Sequence, residues 1–129
     1  MRKPAEQKAI GLRPHSVAID GRPQVKERPR VNRRTGTIYT PEKTTRAEER
    51  VAAHWVASKG PKYPKGTQLR IFLMFDEDST AIVVEPFEML EKVSIRGDLD
   101  NYVKLVMDGL NGVAWDDDSQ VVRIEAVKA

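Results

Sequence analysis

The sequence predicts a small domain of the α/β (α+β) class, with a mixed β-sheet and two main helices. Three observations carry this. A chain of 129 residues that is 40% hydrophobic has material for one modest core. Two segments, 41–60 and 100–110, repeat apolar residues at helical spacing. Three others, 15–21, 67–75 and 120–128, are short, rich in β-formers and bounded by turn residues. Strands interleaved with helices give a layered α/β or α+β arrangement.

Residues 1–13 ("MRKPAEQKAIGLR") read as a flexible N-terminal arm, and 14–129 as a single domain. "HSVAIDG" (15–21) is a strand ending in a turn. "RPQVKERPRVNRRTGTIYT" (22–40) is punctuated by Pro23, Pro29 and Gly36. It reads as extended chain with a tight turn at "RTGT" between two short strands. In the helix of 41–60, Thr44 or Thr45 caps the start, and Glu48 follows Thr45 by three, as in a capping box. Val51 and Trp55, with Ala52, form its buried stripe, and Gly60-Pro61 stops it. "TQLRIFLMF" (67–75) is the plainest strand, "DEDST" a polar turn, and "AIVVEPFEMLEKVSI" (81–95) a further strand interrupted by Pro86.

In the second helix Val103, Val106, Met107 and Leu110 fall at i, i+3, i+4 and i+7, a buried face, and Asn111-Gly112 ends it. Asp100, Lys104 and Asp108 occupy a different face. "QVVRIEAVK" (120–128) alternates, with Val122, Ile124 and Ala126 on one side and Arg123 and Glu125 on the other. It reads as a half-buried closing strand.

Charge is unevenly placed. Residues 1–50 hold 13 Lys and Arg against 6 Asp and Glu, and the remainder 9 against 13. A basic half suggests a polyanionic partner; the competing reading is a solvated tail. There is no cysteine, which excludes disulfides and thiolate metal sites and is compatible with the cytoplasm. No apolar run is long enough to span a membrane, and no signal-peptide pattern opens the chain.

Six aspartates crowd residues 97–120: Asp98, Asp100, Asp108, Asp116, Asp117 and Asp118. A helix from Asp100 to Leu110 is roughly 15 Å long. Residues 111–117 reach roughly 23 Å when extended. The chain can therefore turn at Gly112 and return Asp118 to Asp98 and Asp100. Carboxylates gathered so closely repel one another, and a divalent cation removes that penalty. Oxygen donors without Cys or His favour Mg²⁺ or Mn²⁺. An acidic metal site opposite a basic half points to metal-assisted hydrolysis of a phosphodiester. Blander roles compete: Asp98 and Asp100 as helix-capping acids, "DDD" as a solvated turn, and Lys104 as an i,i+4 partner of Asp100 and Asp108.

"GDLDNYVKLVMDGLNGVAWDDDSQVVRIEAVK" closely resembles the RusA family of Holliday junction resolvases of bacteria and their phages. It carries the D-x-D-N start, a lysine four residues after the second Asp, a D-G-L-N-G helix end and a D-D-S-Q turn. Upstream, "KERPRVNRRTGTIYTPEKT" is similar to the family's K-x-R-P-R and Y-T-x-x-K-T segments. Together these cover most of residues 15–128. The resemblance implies that Asp98, Asp100 and Asp118 are metal-binding, catalytic carboxylates and that Lys104 is a catalytic lysine; Asp117 is a weaker candidate. It also implies a RusA-like homodimer using Mg²⁺, with Mn²⁺ as a substitute, on four-way DNA junctions in the cytoplasm of a bacterial cell or phage-infected host. The candidate phosphate contacts are Lys26, Arg28, Arg30, Arg33, Arg34, Lys43 and Arg46, with Pro29 stiffening the segment and keeping its charges off nearby acids.

The sequence departs from the family pattern in three places. Gly97 stands where many members carry proline, which predicts a looser loop. The stretch 76–96 is long enough for an extra hairpin, and residues 1–13 have no counterpart. In a dimer, Ile82, Val83, Val84, Phe87 and Leu90 would supply an apolar contact. A catalytically silent branched-DNA-binding protein and a phage protein-interaction module are the alternative readings.

Overall fold

The computed structural model describes residues 13–88 and 92–129. The arm at 1–12 and residues 89–91, Leu90 included, lie outside the described residues. The chain forms two compact units, Met1–Glu88 and Met89–Ala129.

In the first unit, β1 (His15–Asp20), β4 (Leu69–Phe75) and β5 (Ser79–Pro86) form a three-stranded sheet of order β1-β5-β4. Both pairings are antiparallel, so the expected mixed sheet is wholly antiparallel here. The reason is the connection. Only Asp76–Asp78 separate β4 from β5, and a link that short can only fold back on itself. Asp76 builds the turn: its Oδ1 accepts N–H bonds from Asp78 at 2.8 Å and Ser79 at 2.7 Å. These bonds, with the Ser79 hydroxyl, hold its carboxyl below the usual range.

Pro86 does not interrupt β5; it ends it, at a position where its missing N–H breaks no ladder beyond. No hairpin lies wholly within 76–96 among the described residues: β5 is the strand found there, and it pairs with β4 and β1. Ile82, Val83 and Val84 lie in this central strand and, like Phe87 just after it, are half-buried, partly covered by the sheet.

The turn at 32–37 forms as expected between β2 (Arg30–Val31) and β3 (Ile38–Tyr39). Asn32 and Thr37 are bonded at 2.8 Å, and Gly36 takes a φ of 72°, the left-handed region that favours glycine.

Helix α1 (Glu42–Ala57) starts earlier than its threonines suggest. Pro41 stands at the N-cap with φ −53°, already set for entry, and no side chain caps the end. The threonines are used otherwise. Thr44 is 1% exposed, and its Oγ1 accepts the N–H of Glu27 at 3.1 Å. Thr45 donates to the Pro41 carbonyl. The expected stripe is only partly covered: Trp55 is half-buried and Val51 exposed. The stop is as read. Gly60 N–H bonds the Trp55 carbonyl at 2.9 Å, and the indole N–H bonds the Pro61 carbonyl at 3.0 Å. A Cβ at Gly60 would lie 2.4 Å from the Trp55 ring.

α1 is fastened to β1. The His15 and Trp55 rings meet edge-to-face at 4.7 Å, and Arg50 donates to the Asp20 carbonyl. Ile19, 5% exposed, is the buried apolar side chain at this junction.

In the second unit, α2 (Leu99–Leu110) is followed by a 3₁₀ turn at Asp118–Gln120. The helical spacing is as read, but its burial is not. Val103 and Met107 are half-buried, Val106 and Leu110 exposed, and no residue of α2 is buried. The closing strand expected over 120–128 is absent: residues 121–129 pair with no strand among the described residues, and Val122 is 93% exposed. Alternation specifies which side chains share a face. It does not supply the neighbouring strand that a ladder needs.

Candidate nuclease site

Helix α2 presents the first acidic pair. Asp98 is its N-cap, with φ −71° and ψ 136°, and its backbone carbonyl accepts from Asn101 and Tyr102 at 3.1 and 3.3 Å. The Asp98 carboxylate makes no capping bond. Asp100 lies in the first turn, where the helix dipole favours negative charge. Lys104 lies one turn on. Neither Asp100 nor Asp108 pairs with it, and the Asp98, Asp100 and Lys104 side chains have no partner among the described residues. Asp98 and Asp100 thus keep the favourable dipole position of helix-capping acids, but the side-chain capping bond and the ion pairs with Lys104 are not formed.

The loop ahead of Asp98 is tied rather than loose. Tyr102 folds back on Gly97, whose N–H donates to the phenol oxygen at 3.1 Å. A Cβ at Gly97 would lie 2.6 Å from that oxygen, so glycine is what lets the ring approach. Lys128 Nζ donates to the Gly97 carbonyl at 3.1 Å, and Ser94 Oγ to the Ala129 carbonyl at 3.3 Å. Lys128 had been read only as the end of a strand.

The second acidic group is a constructed turn. Gly112, at φ 81°, reverses the chain, and its N–H bonds the Trp115 carbonyl at 2.6 Å. Asp117 caps the 3₁₀ turn. Its carboxylate accepts from the Ser119 hydroxyl and N–H, which hold it below the usual range. Gln120 closes the box by accepting from Asp116 and Asp117 N–H at 2.7 and 3.0 Å. Asp117 thus has a structural task. Asp118 is different: its Oδ1 accepts the Trp115 indole N–H at 2.8 Å, and both side chains are half-buried. Trp115 was not singled out from the sequence. An indole three residues before an aspartate in a turn was the available signal.

Among the described residues, no three Asp, Glu or His side chains form a group able to hold a metal ion. The expected gathering of Asp98, Asp100 and Asp118 is therefore not found. Three carboxylates repel when brought together. The turn is also tied through Trp115 to the C-terminal end of α2, whose twelve residues span about 18 Å from the Asp98 end. The donor chemistry, carboxylate oxygens alone, fits a hard divalent cation, and the arrangement is open.

The seven candidate phosphate contacts are exposed, and they divide into two sets. Lys26 pairs with Glu48 at 3.7 Å, Arg30 with Glu27 at 3.0 Å, and Arg46 with Glu42. Pro29 therefore does not keep Arg30 off its nearby acid. Arg28, Arg33, Arg34 and Lys43 have no acidic partner among the described residues. Arg22, Lys26 and Arg50 also line a cavity of about 180 Å³, together with Ile19, Val51 and Phe75.

The family model for the endodeoxyribonuclease RusA matches residues 20–129. No curated protein and no solved structure gives a significant match. Among the described residues, no helix is long and apolar enough to cross a membrane.

Proposed function

The chain belongs to the RusA family of endodeoxyribonucleases, and from that premise we propose that it is a Mg²⁺-dependent, structure-selective nuclease that resolves four-way junctions by paired cuts. The observation that carries this reading is α2. Asp98, Asp100 and Lys104 are displayed from one helix end with no partner competing for them, within the residues the family shares.

Asp98, Asp100 and Asp118 are not gathered as they stand; a divalent cation would offset the repulsion that keeps them apart, be held by all three, and lower the charge repulsion between nucleophile and phosphate. Mn²⁺ has the same preference for oxygen and would substitute. Lys104 would offer its ammonium to the negative charge that develops on the non-bridging oxygens. Hydrolysis breaks one P–O bond and adds the elements of water across it. Arg28, Arg33, Arg34 and Lys43 are free to bind phosphates. Lys26, Arg30 and Arg46 must first exchange a surface ion pair, which costs little.

A four-way junction yields two duplexes only when two strands are cut at symmetry-related points. One acidic set per chain therefore favours a homodimer, whose two-fold axis matches that of the junction. Light scattering during size-exclusion chromatography reads this mass directly. The cytoplasm, where such junctions arise, is the expected location.

The test is a labelled four-way junction incubated with and without Mg²⁺. Paired nicks that require the metal, lost in Asp98→Asn, Asp100→Asn and Asp118→Asn while junction binding persists, are the expected result. Full activity in any one variant removes that residue from the site.

A further inference from the structure

The Asp118 carboxylate has one oxygen committed and one open, and the residue that commits it is Trp115. We propose that Trp115 is a positioning residue for Asp118, fixing the direction in which its free oxygen meets a divalent cation. This rests on the reading of Asp118 as a metal ligand.

The geometry supports it in three ways. First, the bond is well formed: 2.8 Å between indole nitrogen and Oδ1, with both residues half-buried while Ala114, Asp116, Asp117 and Ser119 around them are exposed. Second, an indole N–H only donates, in the plane of its ring. The bond therefore fixes one carboxylate oxygen of Asp118 and leaves the other free. Third, Trp115 is itself anchored. Its carbonyl accepts from Gly112, while Val113 and Ala114 N–H groups bond the Leu110 carbonyl at 2.9 and 2.8 Å. The orientation of Asp118 is thus referred back to the end of α2, the helix that carries Asp98 and Asp100.

The other acids of the turn are not placed this way. Asp117 is spent on Ser119, and the Asp116 side chain has no partner among the described residues. Partners that orient a metal-binding side chain change metal affinity or activity by roughly 10- to 100-fold when removed.

The experiment replaces Trp115 with β-(3-benzothienyl)alanine, which keeps the bicyclic shape and substitutes sulfur for N–H. Trp115→Phe is the simpler companion. Mn²⁺ affinity is measured by titration calorimetry on the full chain without DNA, and Mg²⁺ dependence by single-turnover junction cleavage. The expected result is weaker Mn²⁺ binding by roughly tenfold and a lower cleavage rate, with junction affinity and thermal midpoint unchanged. Adding the benzothienyl change to Asp118→Asn should cause no further loss, because the charged ligand that the indole would orient is already gone.

Unchanged Mn²⁺ affinity and rate in the folded benzothienyl protein would overturn the proposal. So would an equal further loss on the Asp118→Asn background. Asp98→Asn separates the two levels. If it is inactive while the benzothienyl protein behaves as wild type, the site stands and only the role of Trp115 falls. If it is fully active, the reading of the site itself falls.

Discussion

Replacing Thr44 with valine tests how the basic segment is held. Thr44 is the most buried polar side chain of the described residues, at 1% exposure. Its Oγ1 is the acceptor for the Glu27 N–H at 3.1 Å, across 17 residues of sequence. Valine keeps the shape and removes the acceptor. Leaving a donor unsatisfied costs about 1–3 kcal/mol when buried. The bond is part-buried, so water relieves some of this, and the loss should be about 1–1.5 kcal/mol, close to a tenfold shift in the folding equilibrium. Thr44→Ser keeps the acceptor and gives up one methyl, about 0.8 kcal/mol. Urea unfolding of both variants, with hydrogen exchange at the Glu27 amide, provides the assay. Valine should be the less stable variant and should lose protection at Glu27. Since Glu27 lies between Lys26 and Arg28, junction affinity should fall as well. A valine variant as stable as wild type, with Glu27 still protected, would refute the argument.

Other outcomes follow from the same bonds. Gly97→Ala should displace Tyr102, which is 43% exposed and free to swing. The lost bond costs about 1 kcal/mol, and cleavage should drop more than binding; Tyr102→Phe removes that bond without the clash, and chemical denaturation compares the two. Combined Ala substitution at Arg28, Arg33 and Arg34 should flatten the plot of log affinity against log salt by up to about 3, as released counterions are fewer; an unflattened slope places the DNA elsewhere. Ser119→Ala removes the bond that does most to lower the Asp117 pKa. A depressed folded pKa adds stability above the ordinary carboxylate value of about 3.9 and loses it as pH falls through the folded value. The stability gap between wild type and variant should therefore be constant near neutrality and close in acid.

Local structure was legible wherever it depended on neighbours in sequence. The "RTGT" turn, the helix stop at Gly60-Pro61 and the run of α2 follow from glycine conformation, proline and the 3.6-residue period. The two acidic groups and Lys104 could be placed on a helix end and a turn because both are local features.

What failed depended on distant partners. Thr44 looked like a cap because its spacing to the helix start is visible, whereas its bond to Glu27 is not. Val122 and Ile124 alternate as a strand does, yet no strand pairs with them among the described residues. Tyr102 on Gly97 and Trp115 on Asp118 are side-chain returns over five and three residues. No periodicity encodes these. Asp117 and Asp118 are adjacent and chemically identical, and only the hydrogen bonds around them separate a structural acid from an available one.

The bond from Lys128 to the Gly97 carbonyl closes the second unit into a ring 31 residues around. Such a clasp has a leverage that its own strength does not suggest. A single exposed hydrogen bond opens readily, and each opening would release the peptide immediately before Asp98. Any chain fused after Ala129 leaves from beside the D-x-D loop. Its charge and bulk would therefore act on the proposed metal-binding residues, however remote the terminus looks in the sequence.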